Sequence, residues 1–175
     1  MANDQDSSDA FEPALQPLYG NPGFMLRRAH QVGVAIFEEE TAKYGVTPAQ
    51  FSVLMVLRAC RSLDQISLAR RAGFDRSTTT VIVRRLDELR LLVRRPHAKD
   101  ARRKILSLTR AGRTLLRRVE QLVARAGIRL CSPLDPKECD VLIRLLGKII
   151  NGHPGKLSPP MSMRPSRTPT PPRRR

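Results

Sequence analysis

Apolar residues recur at three- and four-residue steps along most of this chain, and that rhythm sets the elements it predicts. Met25, Ala29, Val32, Ile36 and Phe37 follow it, so Phe24 to Lys43 reads as a long amphipathic helix that Gly45 stops. Thr47-Pro48-Ala49-Gln50 is a capping box with proline at the first helical position. The helix it opens, through Cys60, is apolar nearly all round and should be central. A short helix follows Asp64 and runs to Ala72, stopped by Gly73. Another begins at Asp75 and runs to about Leu89, with Ile82, Leu86 and Leu89 as its inward stripe.

The period then changes. Leu91 to Arg95 is a short strand, ended by Pro96, and Ile105 to Leu108 is its partner, with Leu106 and Leu108 on one face. The polar stretch His97 to Lys104 between them makes a hairpin with a charged tip. Thr109 caps a second long helix carrying Leu115, Val119, Leu122, Ala126 and Leu130 at helical spacing, and Ser132-Pro133 breaks it. Asp135-Pro136-Lys137-Glu138 caps a last helix, to Ile150. The predicted fold is mainly α with a small β-hairpin wing: a winged helix-turn-helix at about 47–108, plus N- and C-terminal dimerisation helices at about 24–43 and 109–151. Those end helices carry more apolar surface than one chain can cover, which predicts pairing across a twofold axis as a homodimer.

Charge sharpens this picture. The 175 residues hold 32 Lys and Arg against 16 acids, a net charge of +16 and a pI near 11.3. Such an excess implies a polyanion partner without defining a fold. It is unevenly placed. The four acids of residues 1–12 mark residues 1–21 as an acidic, disordered arm. Residues 152–175 hold seven of the 14 prolines and six bases without an acid, and read as a disordered Pro/Arg tail. A net +8 falls between Arg70 and Lys104, inside the body at 22–151.

Geometry turns that local charge into candidate chemistry. Gly73-Phe74 is the turn of a helix-turn-helix, and Asp75-Arg76-Ser77-Thr78-Thr79-Thr80 opens its second helix. A recognition helix presents its first turns to the major groove, so Arg76, Ser77, Thr78, Thr80 and Arg84 are candidate DNA contacts. Taken alone, the segment is also what any well-capped helix start looks like. The hairpin tip Lys99-Asp100-Ala101-Arg102-Arg103-Lys104 adds cations that suit the minor groove, so Arg102, Arg103 and Lys104 join the set. Asp100 fits a positioning role, pairing with a neighbouring arginine.

Taken together, the Asp75-Arg76-Ser77-Thr78 helix start, the Asp100-Ala101-Arg102 wing and Leu106-Ser107-Leu108-Thr109-Arg110-Ala111-Gly112 resemble the multiple-antibiotic-resistance (MarR) family of regulators from about Phe24 to Ile150. The resemblance implies a dimeric winged-helix repressor that releases DNA when a small, often aromatic, ligand binds between the dimerisation helices and the DNA-binding lobe. Two positions depart from the family: Val81 stands where many members carry Arg, and Arg84 where they carry an acid. The stretch Gly23 to Gln31 resembles members that respond to aromatic carboxylates or their coenzyme A thioesters. Arg27 or Arg28 could pair with a carboxylate or phosphate, and His30 and Gln31 could hydrogen-bond in an apolar cleft. The arginines equally suit a dimer surface, and His30 a satisfied helix position.

The resulting expectation is a sequence-specific DNA-binding regulator of a pseudo-palindromic operator, acting as a homodimeric repressor released by an aromatic acid or acyl-CoA-like effector. The alternative is an architectural, nucleoid-type DNA coat in which the Arg/Pro tail supplies most of the binding. An enzyme is not expected: His30, His97 and His153 fall in a helix, a wing and a tail, and neither a phosphate loop nor a metal-ligand cluster is visible. Cofactor and metal sites are therefore not expected either. No apolar run approaches the roughly 18 residues of a membrane span, and the acidic start lacks a signal-peptide pattern. Cys60, Cys131 and Cys139 form neither a disulfide framework nor a zinc pattern, so a reducing cytoplasm is expected and inert packing is favoured over a thiol sensor.

Overall fold

The computed structural model describes residues 15–97 and 100–153. Residues 1–14 of the arm expected at 1–21, and 154–175 of the tail expected at 152–175, lie outside the described residues, whereas residues 15–19 of that arm are helical rather than disordered. The elements are α1 (Pro22–Thr41), a 3-10 turn (Ala42–Tyr44), α2 (Pro48–Cys60), β1 (Ser62–Asp64), α3 (Gln65–Ala72), α4 (Arg76–Glu88), β2 (Leu92–His97), β3 (Asp100–Leu108), α5 (Arg110–Leu130) and α6 (Pro136–Asn151).

Local chemistry starts each helix. Thr47 and Gln50 complete their capping box on α2, and Asp135 and Glu138 complete theirs on α6. Asp64, Asp75 and Thr109 cap α3, α4 and α5 through side-chain oxygens that accept from backbone N–H groups three residues on. The Asn21 side chain does the same for α1, at Gly23 and Phe24.

α2 is central, as its all-round apolar character predicts. It packs on α3, α4, α5, β1 and β3, and buries Val53, Leu54 and Leu57. Around it lie Leu68 of α3, Ile82, Val83 and Leu86 of α4, Leu106 and Leu108 of β3, and Leu116 and Val119 of α5. Truncating Leu54 to alanine in such a core costs about 2–5 kcal/mol. α5 lies along α1 and is pinned to the body by ion pairs. Arg125 reaches Glu40 at 3.1 Å, Arg129 reaches Glu39 at 2.7 Å, and Arg58 of α2 makes a two-pronged pair with Glu120, both bonds 2.7 Å.

Several expectations need correction. β2 continues through Pro96, which pairs in register with Lys104. The strand order is β1-β3-β2, so β2 is an edge strand, where a proline lacking N–H is tolerated. β3 begins at Asp100, earlier than Ile105, and a third strand, β1, pairs Leu63 with Leu106. Leu89 is 42% exposed because it sits past the end of α4; the inward stripe is Thr79, Ile82, Val83 and Leu86. On α5 Leu116 is buried and Leu115 only partly so. Cys60 is half-buried.

The ends of the chain leave apolar surface open. Val141, Leu142, Ile143, Leu145 and Ile149 of α6 are exposed, with Met25, Leu26 and Val32 of α1 and Ile128 and Leu130 of α5.

Candidate nucleic-acid interface

α3 ends at Gly73, whose left-handed backbone (φ 76°) lets its N–H return to the Ala69 carbonyl while the chain turns the corner. Phe74 then packs against the core, and Asp75 opens α4. The Asp75 carboxylate accepts from the Thr78 N–H at 2.8 Å, from the Thr78 hydroxyl at 2.6 Å and from the Ser77 hydroxyl. These hydroxyl donors hold its carboxyl well below the ordinary aspartate range.

The next turn is equally ordered. Thr79 is buried and donates to the Asp75 carbonyl at 2.7 Å. The Thr80 hydroxyl donates to the Arg76 carbonyl at 2.8 Å and accepts from Gln65 Nε2 at 2.7 Å. Gln65, the first residue of α3, thus ties the two helices of the motif together across their outer side. Further along, Glu88 sits 3.4 Å from Arg85 and 4.0 Å from Arg84.

The wing is fastened to this helix. Arg94 Nε of β2 donates to Asp87 Oδ2 of α4 at 2.9 Å. At the far end of the hairpin, Thr109 donates its hydroxyl to the Arg90 carbonyl at 2.7 Å, and its N–H to the Leu91 carbonyl at 3.1 Å. The same hydroxyl accepts from the Gly112 N–H at 3.0 Å and so caps α5. α4, wing and α5 therefore meet at one junction.

Arg76, Ser77, Thr80 and Arg84 are exposed on α4, and Thr78 is half-buried. Lys104 is exposed on β3. Arg102 and Arg103 lie in β3, but their side chains are outside the described residues, as is the side chain of Asp100. Gln65, Asp87 and Arg94 were not anticipated from the sequence. The first pairs across 15 residues, and only its place at a helix start next to a hydroxyl-rich helix hinted at it.

Arg27, Arg28, His30 and Gln31 are all exposed on the N-terminal half of α1. The structure brings Arg27 and Gln31 together, guanidinium to amide oxygen at 3.2 Å, with Arg27 also 5.0 Å above the Phe24 ring. A pocket of about 250 Å³ opens at the other end of α1, lined by Glu38, Thr41, Ala42, Gly45, Val46 and Thr47. The neighbouring Cys139 thiol, with burial, pushes the Cys131 thiol up to about 11, so it stays protonated at neutral pH. Among the described residues no three His, Cys, Asp or Glu side chains gather as a metal site, and no helix is long and apolar enough to cross a membrane.

A helix-turn-helix followed by a pinned hairpin, between two long apolar helices, is a winged-helix regulator. Comparison with known proteins carries this to a family. The MarR family profile matches residues 44–103. A protein assigned as the transcriptional regulatory protein for the hcr operon of Thauera aromatica is 33% identical over 144 residues, 82% of this chain and 87% of that one. The solved structure of the transcriptional repressor CouR bound to a 23-mer DNA duplex superposes with a TM-score of 0.72 and 34% identity, over 77% of this chain and 96% of that one. Bordetella bronchiseptica BpsR, whose DNA binding is regulated by 6-hydroxynicotinic acid, superposes with a TM-score of 0.71 and 28% identity, over 74% and 93%. The chain belongs to the MarR family and is a DNA-binding transcriptional regulator.

Proposed function

We propose that the protein is a homodimeric repressor that binds a pseudo-palindromic operator and leaves it when a small aromatic carboxylate, or its coenzyme A thioester, binds. The observation that carries the DNA-binding half is the fixed pairing of α4 with the wing. Asp87–Arg94 and the Thr109 junction hold the two elements in one orientation, so a helix and a hairpin can engage adjacent grooves together. Arg76, Ser77, Thr78, Thr80 and Arg84 enter the major groove on this reading, while Arg102, Arg103 and Lys104 follow the wing to the minor groove or phosphates.

The uncovered apolar faces of α1, α5 and α6 support the dimer, because a twofold axis lets each face cover its own copy. Effector control rests on kinship with BpsR and on the cations of α1. Arg27, Arg28, His30 and Gln31 are exposed in the single chain, so a pocket including them would need walls from the second copy.

Sedimentation with footprinting tests this reading. Two chains should protect two half-sites whose centres lie roughly 34 Å apart, one helical turn. A thermal-shift screen of aromatic acids and their thioesters should find a ligand that raises the melting temperature and shortens the footprint. A monomer, or protection without preferred position at physiological salt, contradicts the proposal.

A further inference from the structure

The outward line of α4 runs Ser77, Val81, Arg84, Glu88, at steps of four, three and four residues. Val81 stands at its centre and is 57% exposed, whereas Ile82, Val83 and Leu86 of the same helix are buried. It is an apolar, β-branched side chain in the second turn of a helix whose other outward positions are charged or hydroxylated.

The hydroxyls around it are committed. Ser77 and Thr78 donate their hydrogens to Asp75, and Thr80 donates its own to the Arg76 carbonyl. What the first two turns offer outward is therefore acceptor oxygens and methyl groups rather than hydroxyl donors. In the major groove guanine presents two acceptors, which need donors. A T·A pair presents the thymine C5-methyl and the adenine N6 amino group, which need an apolar surface and an acceptor. Val81 and Ser77, one turn apart on the same line, supply that pair of features.

We infer that Val81 is a specificity-determining residue that packs on the 5-methyl group of a thymine in each half-site, with Ser77 Oγ accepting from adenine N6 of that pair or its neighbour. This rests on the DNA-binding reading above and adds the base that the helix selects. Arg76 and Arg84 offer donors that suit guanine or phosphate, whereas the valine responds to a single methyl group.

Uracil substitution tests the inference, because it removes that methyl and leaves every hydrogen-bonding group of the pair in place. Duplexes bound by the full-length chain are enriched from a random pool, and each thymine of the enriched half-site is replaced in turn by deoxyuridine. Affinities are measured by fluorescence anisotropy at fixed salt. One thymine per half-site should weaken the unaltered protein about fourfold when its methyl is lost, the effect of one buried methyl-sized group. Val81→Ala should abolish that dependence, and Val81→Ile should keep it. The site is exposed and alanine is the stronger helix former, so the fold should persist, which circular dichroism confirms. An enriched site without a methyl-sensitive thymine, or an equal uracil effect in Val81→Ala, overturns the inference while leaving the regulator reading intact. Failure to enrich any sequence overturns both.

Discussion

A Cβ atom on Gly112 would stand 2.0 Å from the carbonyl oxygen of Leu91. The first turn of α5 thus lies directly on the backbone that opens the wing, and only a residue without a side chain fits. The Leu-x-Leu-Thr-x-x-Gly pattern seen in the sequence has this physical content. Thr109 caps α5 and bonds the Arg90 carbonyl, while Gly112 permits the contact.

Gly112→Ala should therefore destabilise the fold by about 1–3 kcal/mol, the usual cost of overpacking a site that cannot yield freely. Urea denaturation measures it. An unchanged midpoint would mean that the wing and α5 do not touch as described.

The Arg94–Asp87 pair should matter more to binding than to stability. Both side chains are about a third or more exposed, so breaking the pair should cost stability only about 0.2–1 kcal/mol. It would also remove one of the two ties between the wing and α4, so Asp87→Asn should lower affinity for a selected duplex by more than it lowers stability. Arg102→Ala at the wing should weaken that duplex by about 1–3 kcal/mol if its side chain makes a groove contact. Equal affinity in both variants would remove the wing from the interface.

Acid should loosen the start of α4 in a defined direction. The Asp75 carboxyl lies below its ordinary range in the folded chain because the Ser77 and Thr78 hydroxyls donate to it, and Glu120 is lowered by its bonds to Arg58. A carboxyl whose folded value is depressed favours folding fully above the unfolded value, about 4. That contribution is lost as pH falls through the folded value. Stability from these two groups should be flat from neutrality to about pH 5 and decline below about pH 4. Asp75→Asn keeps a capping oxygen without a titrating proton, so its acid decline should be shallower than that of the unaltered chain. Identical pH profiles would show that Asp75 contributes nothing to this dependence.

The apolar face of α6 gives a test of assembly. Leu145 is exposed in the single chain, and Leu145→Glu would place a charge on the surface that a second copy is proposed to cover. Sedimentation should show the variant shifted toward one chain, with its helical content retained. An unshifted mass would move the interface elsewhere.

Much of the architecture was legible because its signals are local. The capping boxes at Thr47 and Asp135, the cap at Asp75 and the stop at Gly73 are each written within four residues, and each helix begins or ends where they indicate. What escaped depends on partners distant in sequence. β1 has three residues and exists only because Leu63 meets Leu106. Pro96 looked like a strand end until the sheet order put β2 at an edge. Leu89 continues the apolar spacing of α4 but falls beyond its last turn. In the candidate interface, residue type and position marked Arg76, Ser77 and Arg84 as outward, but Gln65–Thr80 and Asp87–Arg94 arise from tertiary packing that no spacing reveals.

The central claim, that charge on this chain is organised into a reader of sequence, is tested most directly by one ratio. The affinity of the full-length protein is measured for a duplex selected from a random pool and for random duplex of the same length, at one physiological salt concentration. Counterion release contributes to both affinities and varies with salt, so the ratio is taken at that one concentration. A regulator of this kind should prefer the selected duplex by about a thousandfold or more. A ratio near one would contradict it, leaving the protein a non-specific coat held to DNA by its charge.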